Sequence, residues 1–428
     1  MIRSSTPQSS LPQFCRAAGL ALACLAASGF LAPVWAGSVT LDETVLKTGE
    51  NSRITFKSVV LSDCDLTQAE AASLFSGALS REESGALLER LTARELKSPE
   101  AVILTEKGDR FVLHDIVATN VAKGGAESLS LGSVDGVLPD DSGDSTLHSG
   151  ALRIGHISLP GLAAALRAGD VGLAAFRFDH LDWAGGDMTV VDKGTAAGAP
   201  GGNRVVIHSG AAKIDQTLDV DGAPRDVAAT FSDLSAKMPP QSRGGQTLTA
   251  FGYPEVAADA HFAGSYDAAA KIYKLLDYSF DFRKIGKIAF SGQISNLTNT
   301  ALTGDKAARA EAMQAATVDW TQIDVTDAGL FDKVVAYVAL GRRESPATIK
   351  AEWRAIVAQA PLLFSGAPAI AVTARALDRF IADPRVLTLR VKGKDTPLKI
   401  GDLSRIDNLM VLVNRIDVTT PYPAVGKP

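Results

Sequence analysis

The chain of 428 residues is 46% hydrophobic and 21% charged, a balance that excludes disordered and fibrous classes and is long enough for two or three packed cores. Its formal net charge is −5, with no basic cluster, which argues against nucleic acid and against electrostatic docking on an anionic lipid surface.

Residues 1–36 read as a processing segment. Arg3 and Arg16 supply a positive start, residues 17–32 are almost continuously apolar, and Val34-Trp35-Ala36 carries the small side chains that a signal peptidase reads. Pro33 follows too soon for a spanning helix of about 20 residues. An uncleaved anchor and a lipoprotein leader ending at Cys24 are the alternatives, but Leu22 sits one place late for a lipobox. Loss of the two leader arginines takes the net charge from −5 to −7. Cys15 and Cys24 leave with the leader, so Cys64 stands alone and no internal disulfide is open to the exported chain. Cys64 is expected to be a half-buried small residue. No later stretch spans a membrane, because residues 362–377 are interrupted by Ser365, Gly366, Pro368 and Arg375.

The mature chain divides by periodicity. Residues 37–98 open with an extended run at 54–61. A helical hairpin over 66–97 follows, with Thr67 and Glu70, then Ser80 and Glu83, in capping-box order. Behind these caps Ala71, Leu74 and Phe75, and then Leu87, Leu88 and Leu91, recur at helical spacing.

Residues 99–300 change to a period of two, with turn signals at Lys107-Gly108-Asp109, Lys123-Gly124-Gly125 and Asp135-Gly136. The clearest strand is 276–282, where Leu276, Tyr278, Phe280 and Phe282 are expected to be buried. Asp277, Ser279 and Asp281 are expected to face water. Its neighbours, 256–266 and 287–295, complete a meander. A weak repeat relates His148-Ser149-Gly150-Ala151 to His208-Ser209-Gly210-Ala211, as expected for stacked β-units. The segments 140–145 and 194–203, rich in Gly, Ser, Asp and Pro, read as linkers.

Helices return over 301–420. An Ala-rich helix spans 307–316, and a stripe of Leu330, Phe331, Val334, Val335 and Val338 ends near Gly341. Ser345-Pro346 opens the next helix, with Ile349, Trp353, Ile356 and Val357 on one face, and 369–381 forms another. Short strands at 386–391 and 411–418 flank a helix near Asp402, and 421–428 is a tail. The fold class is therefore α+β: a β-rich antiparallel repeat region between an N-terminal helical hairpin and a mainly helical C-terminal region.

Catalytic signatures are sparse. The six histidines, at 114, 148, 156, 180, 208 and 261, include no pair at a metal-binding helical spacing, and the zinc signatures are absent. Gly132-Ser133-Val134-Asp135-Gly136 has its serine one place early for a nucleophile elbow and lies in a strand context. Ser149 and Ser209 each follow a histidine, yet adjacent strand residues point to opposite faces. His148 and His208 would align on one face if the repeats stack. Asp140-Asp141-Ser142-Gly143-Asp144 and Asp219-Val220-Asp221-Gly222 bring oxygen ligands to turns without the EF-hand pattern, and solvated Asx turns explain them. Asp277, Asp281 and Arg283 read as an ion-paired face, and Trp183 and Trp320 as strand aromatics at a core or edge. No catalytic, cofactor-binding or metal-binding residue is assigned and no cofactor is implied.

The sequence points to a periplasmic or secreted, non-enzymatic protein that binds or scaffolds an apolar ligand, with a lipid or an envelope protein as partner. The alternative is a hydrolase of cell-wall or lipid substrates using His148 and His208.

Overall fold

The computed structural model describes residues 37–47, 52–122, 125–139, 143–158, 177–192, 203–219, 222–253, 255–304, 306–364, 366–403 and 409–421. The leader, most of the 194–203 linker, the start of the acidic turn at 140–144, and residues 422–428 lie outside them. Among the described residues about 50% are strand and 28% helix, with helices towards both ends of the chain. The strand ladders are antiparallel, as the alternating pattern predicts. The chain forms two compact units: residues up to Val206 with Ala211–Lys213, and Ile207–Gly210 with Ile214 onward.

In the first unit, β1 (Val39–Lys47) and β2 (Arg53–Ser62) form an antiparallel pair, with Val39 opposite Leu61. Helices α1 (Gln68–Leu74) and α2 (Arg81–Arg90) follow, and both expected capping boxes form. The Thr67 backbone N–H donates to Glu70 at 2.9 Å while Thr67 Oγ1 accepts from the Glu70 backbone at 3.2 Å; Ser80 and Glu83 repeat the exchange. These bonds hold both glutamates below the usual carboxylate range. The helical reading runs too far, however. Leu91 caps α2, and β3 (Thr92–Leu104) begins immediately, because 92–97 pairs with β4 (Arg110–Ala122).

Strand β3 tolerates Pro99, which lacks an N–H, because the residue across from it, Asp115, adopts φ +51° and interrupts the ladder. Strand β4 divides its partners: its first half pairs with β6 (Ser133–Leu138) and its second with β5 (Gly125–Leu131). Beyond them β7 (Ser145–Ser149) joins β6, β8 (Leu152–Ser158) joins β5, β9 (His180–Trp183) joins β8 and β10 (Gly186–Asp192) joins β7. The core gathers Ile54, Phe56, Leu61, Leu74, Leu88, Phe111, Ile116 and Leu129, each contributing about 1.5–3 kcal/mol through burial. Phe56 meets Phe75 edge-on at 5.7 Å. Cys64 is wholly buried in this core, so the half-buried expectation understates its enclosure; burial pushes its thiol pKa up.

The repeat segments adopt the same local form. Strand β7 turns through Gly150-Ala151 into β8, and β11 (Asn203–Ser209) turns through Gly210-Ala211 into β12 (Ala212–Leu218). Ser149 and Ser209 are both buried. The Gly150 and Gly210 amides donate to carbonyls of a neighbouring segment, at Gly185 and Ser232 respectively. A side chain at Gly210 would press on Ser232 and Asp233 at 2.9 Å, which explains glycine there.

The second unit continues with β13 (Pro224–Lys237), α3 (Arg243–Ala250), β14 (Val256–Asp267), β15 (Ile272–Phe282) and β16 (Gly286–Ser295). Helices α4 (Asn299–Thr303) and α5 (Lys306–Ala315) lead to β17 (Thr317–Asp327). Three helices come next: α6 (Leu330–Arg342), α7 (Pro346–Leu363) and α8 (Pro368–Ala382). Strands β18 (Val386–Gly393) and β19 (Leu398–Lys399), helices α9 (Ile400–Leu403) and α10 (Leu409–Asn414), and β20 (Ile416–Thr419) close the chain. The meander runs β13–β14–β15–β16–β17–β18–β20, antiparallel throughout. Ser345 caps α7 with Pro346 in its first turn, as the sequence implies. The expected strand at 411–418 is shorter: Val411 and Val413 belong to α10, and Val413 packs helically against Ala367 and Ala369.

The apolar face of α7 is buried only at one end, and one burial expectation, on β15, fails. On α7 Ile349 is fully buried with Val335 and Ala339, whereas Ile356 is 57% exposed. On β15 Leu276 is 59% and Tyr278 40% exposed, while Ser279, expected to face water, is 0% exposed. The alternation is real, but the apolar side of the strand carries no complete covering layer.

Candidate functional site

The registers of the second unit place two apolar rows side by side. Ala260, Phe280, Ile288, Val325 and Leu387 stand opposite one another from β14 to β18. The next row on the same face is Phe262, Tyr278, Phe290, Ile323 and Leu389. Within these rows only Ala260 is buried. Tyr278 touches Phe280 and Phe290 with ring centroids at 5.1 and 6.0 Å, Phe262 lies 6.1 Å from Tyr278, and Phe280 stacks on Phe282 at 6.1 Å. At about 4.8 Å per strand the rows run about 19 Å across the sheet. The reverse face is mostly polar, with Asp259, Asp281, Lys287 and Thr326 in one row.

Helix α8 covers one end of this face. It packs Ile370 and Val372 near Leu389 and Val391 at the β18 end. Shifts in the ladder near Ala263 and between Leu275 and Tyr278 turn Leu276 and Tyr278 outward. At the end of α8 a cleft of about 300 Å³ is lined by Ala376, Arg379, Asp383, Arg385, Leu387 and Thr420, among others. It meets the first apolar row at Leu387. Large apolar side chains are also exposed on α6 and α7, at Leu340, Leu362 and Leu363.

The histidines occupy solvated positions beside carboxylates. In the first unit His148 Nδ1 lies 2.7 Å from Asp135, whose other oxygen is 3.3 Å from His114 Nε2. The hydrogen bond from His148, with the charge of both rings, holds the Asp135 carboxyl below its ordinary range. His156 pairs with Asp179, and His180 with Asp182. His208 belongs to the second unit and stands 3.9 Å from Asp233. His148 and His208 thus each have their own aspartate. Ser149 is committed elsewhere: its Oγ accepts from Trp183 Nε1 at 2.7 Å and donates to the Gly150 carbonyl. Ser133 lies within β6 opposite His114, in a strand and not at an elbow. Arg283 pairs with Asp233 at 2.9 Å and approaches Asp259 at 3.7 Å, so its partners come from neighbouring strands and not from Asp277 or Asp281. Trp320 carries Arg390 on its ring face at 3.8 Å.

Asp219 accepts the Ala223 amide, four residues on, at 2.8 Å, and residues 220–221 of that acidic segment lie outside the described residues. The turn at 140–144 falls largely outside the described residues. Among the described residues no cluster of three or more His, Cys, Asp or Glu side chains is arranged to hold a metal. No helix among them is long and apolar enough to cross a membrane. The open aromatic face left no clear mark in the sequence, because alternation reports which side is apolar and not whether anything covers it.

A family model described as an uncharacterized protein matches residues 279–420, a stretch that begins within β15 and contains α6 to α8. No curated protein and no solved structure matches the chain.

Proposed function

We propose that the chain is an exported envelope protein that holds an apolar ligand, such as an acyl chain, on the open face of its second unit without transforming it. The observation that carries this reading is the pair of apolar rows from β14 to β18, in which every member but Ala260 keeps part of its surface exposed and Tyr278 is 40% exposed. A protein folding alone gains about 25 cal/mol for each Å² of apolar surface it removes from water. Aromatic side chains left at an open face are the signature of a surface completed by something else. The leader at residues 1–36 supports export to the periplasm or beyond. The envelope, where acyl chains are abundant, is consistent with that ligand class.

The test is to express the full chain with its leader, recover it from the periplasmic fraction and analyse it by mass spectrometry after organic extraction. Stoichiometric acyl lipid that is lost on replacing both Tyr278 and Phe280 by Ser supports the reading. A protein recovered from the cytoplasm, or one free of lipid that also takes up none from added acyl probes, overturns it.

A further inference from the structure

We infer that the ligand is an acyl lipid with an anionic phosphate head, whose tail follows the aromatic rows and whose head lies against Arg379 and Arg385. This inference rests on the proposed apolar site and adds the class of its occupant. Three features of the second unit carry it.

The cleft and the rows are continuous. Leu387 lines the cleft and is also the β18 member of the row Ala260–Phe280–Ile288–Val325–Leu387. A chain lying along that row arrives directly at the cleft.

The cleft carries an excess of positive charge. Arg379 stands in the last turn of α8, and its Nη2 donates to Thr420 Oγ1 at 3.4 Å; among the described residues it pairs with no carboxylate. Arg385 is 84% exposed and pairs with Asp383 at 3.0 Å, so one acid faces two guanidinium groups. Asp378, one residue before Arg379, is already held by Arg354 at 2.7 Å. Arginine's planar fork matches the oxygens of a phosphate, and the Thr420 hydroxyl adds a further polar group at the same place.

The two ends of the site differ in polarity. The rows themselves offer aromatic and aliphatic carbon from β14 to β18, and the two cleft arginines stand at the β18 end. A purely apolar ligand would leave the arginine end unused, and a free phosphate would leave the aromatic rows unused. A lipid with a phosphate head matches both.

The test compares pyrene-labelled phosphatidic acid with pyrene-labelled diacylglycerol of the same chain length, bound to the full chain and read by fluorescence. Phosphatidic acid is expected to bind about tenfold more tightly at low salt, and the preference should shrink as salt screens the exposed arginines. In Arg379→Ala/Arg385→Ala, and independently in Arg379→Gln/Arg385→Gln, the two probes should bind within about twofold of each other, with diacylglycerol affinity unchanged. Both arginines are exposed, and circular dichroism of each variant checks the fold. Equal binding of the two probes by the native chain, or an undiminished preference in both double variants, overturns the head-group assignment and leaves the apolar site standing. Failure of the native chain to bind either probe overturns both. Inorganic phosphate competing as well as phosphatidic acid would show an anion site unconnected to the rows and also overturn the inference.

Discussion

Replacing Phe280 by Ala should weaken lipid binding while leaving the chain folded. The ring of Phe280 is partly buried, meets Tyr278 at 5.1 Å and stacks on Phe282 at 6.1 Å. Complete burial of a phenylalanine contributes about 1.5–3 kcal/mol, so this partly buried ring contributes about 1–2.5 kcal/mol by area. Its two ring contacts add a fraction of the roughly 0.5–1.5 kcal/mol that each pair is worth when buried, and the loss should be about 1–3 kcal/mol, below that of a sealed core phenylalanine. Phe56 is the contrast. It is 1% exposed within the core of the first unit, and Phe56→Ala leaves a sealed cavity. That change should cost about 3–5 kcal/mol. Urea unfolding followed by circular dichroism measures both, with each variant read against the native transition of its own unit. The acyl-probe affinity of Phe280→Ala should fall about tenfold while that of a folded core variant such as Ile54→Val stays within about twofold. A Phe280→Ala cost as large as that of Phe56→Ala would mean that the aromatic face is a sealed core, and the reasoning for an open site would fail.

The remaining predictions concern single positions. Ile349→Ala should destabilise the second unit by about 2–5 kcal/mol, whereas Ile356→Ala, two turns along α7, should lie within about 0.5 kcal/mol of the native chain; equal costs in a denaturant titration would refute the assigned burial. Asp135 should titrate below the ordinary carboxylate range in carbon-detected NMR, and His148→Ala should raise its pKa. Because the folded pKa is depressed, its contribution to stability is present above the unfolded carboxylate value of about 3.9 and is lost as pH falls through the lower folded value; at a half-exposed pair that contribution is small. Cys64 should resist an aromatic disulfide reagent in the native state and react at once in denaturant, since its thiol is buried and its pKa raised; rapid native labelling would contradict its place in the core.

Much of the architecture was legible because it depends on short-range chemistry. The hydroxyl-to-glutamate spacing at Thr67 and Ser80 gave both helix starts, Ser345-Pro346 gave a third, and strict alternation over 276–282 located β15. What escaped depends on partners distant in sequence. Residues 92–97 carry a pattern that a short helix could also satisfy, and pairing with 117–122 decides for strand. Val411 and Val413 favour strand by their branching, yet the segment is helical, with Val413 packed against Ala367 and Ala369 and Val411 exposed. The failure at Leu276 and Tyr278 has the same origin, since periodicity marks a greasy side but only the complete fold says what lies over it. Arg379 and Arg385 were equally hidden. They stand on either side of Pro384, and nothing in their spacing indicates that β18 brings Leu387 and its apolar row to the same cleft.

The most direct test of the open face is photolabelling with a long-chain fatty acid bearing a diazirine near its methyl end, followed by peptide mapping. Label on the peptides carrying Tyr278, Phe280 and Phe290, competed away by unlabelled lipid, is the predicted result. Label confined to the helix residues around Leu340, Leu362 and Leu363, or spread without competition over both units, would contradict the account.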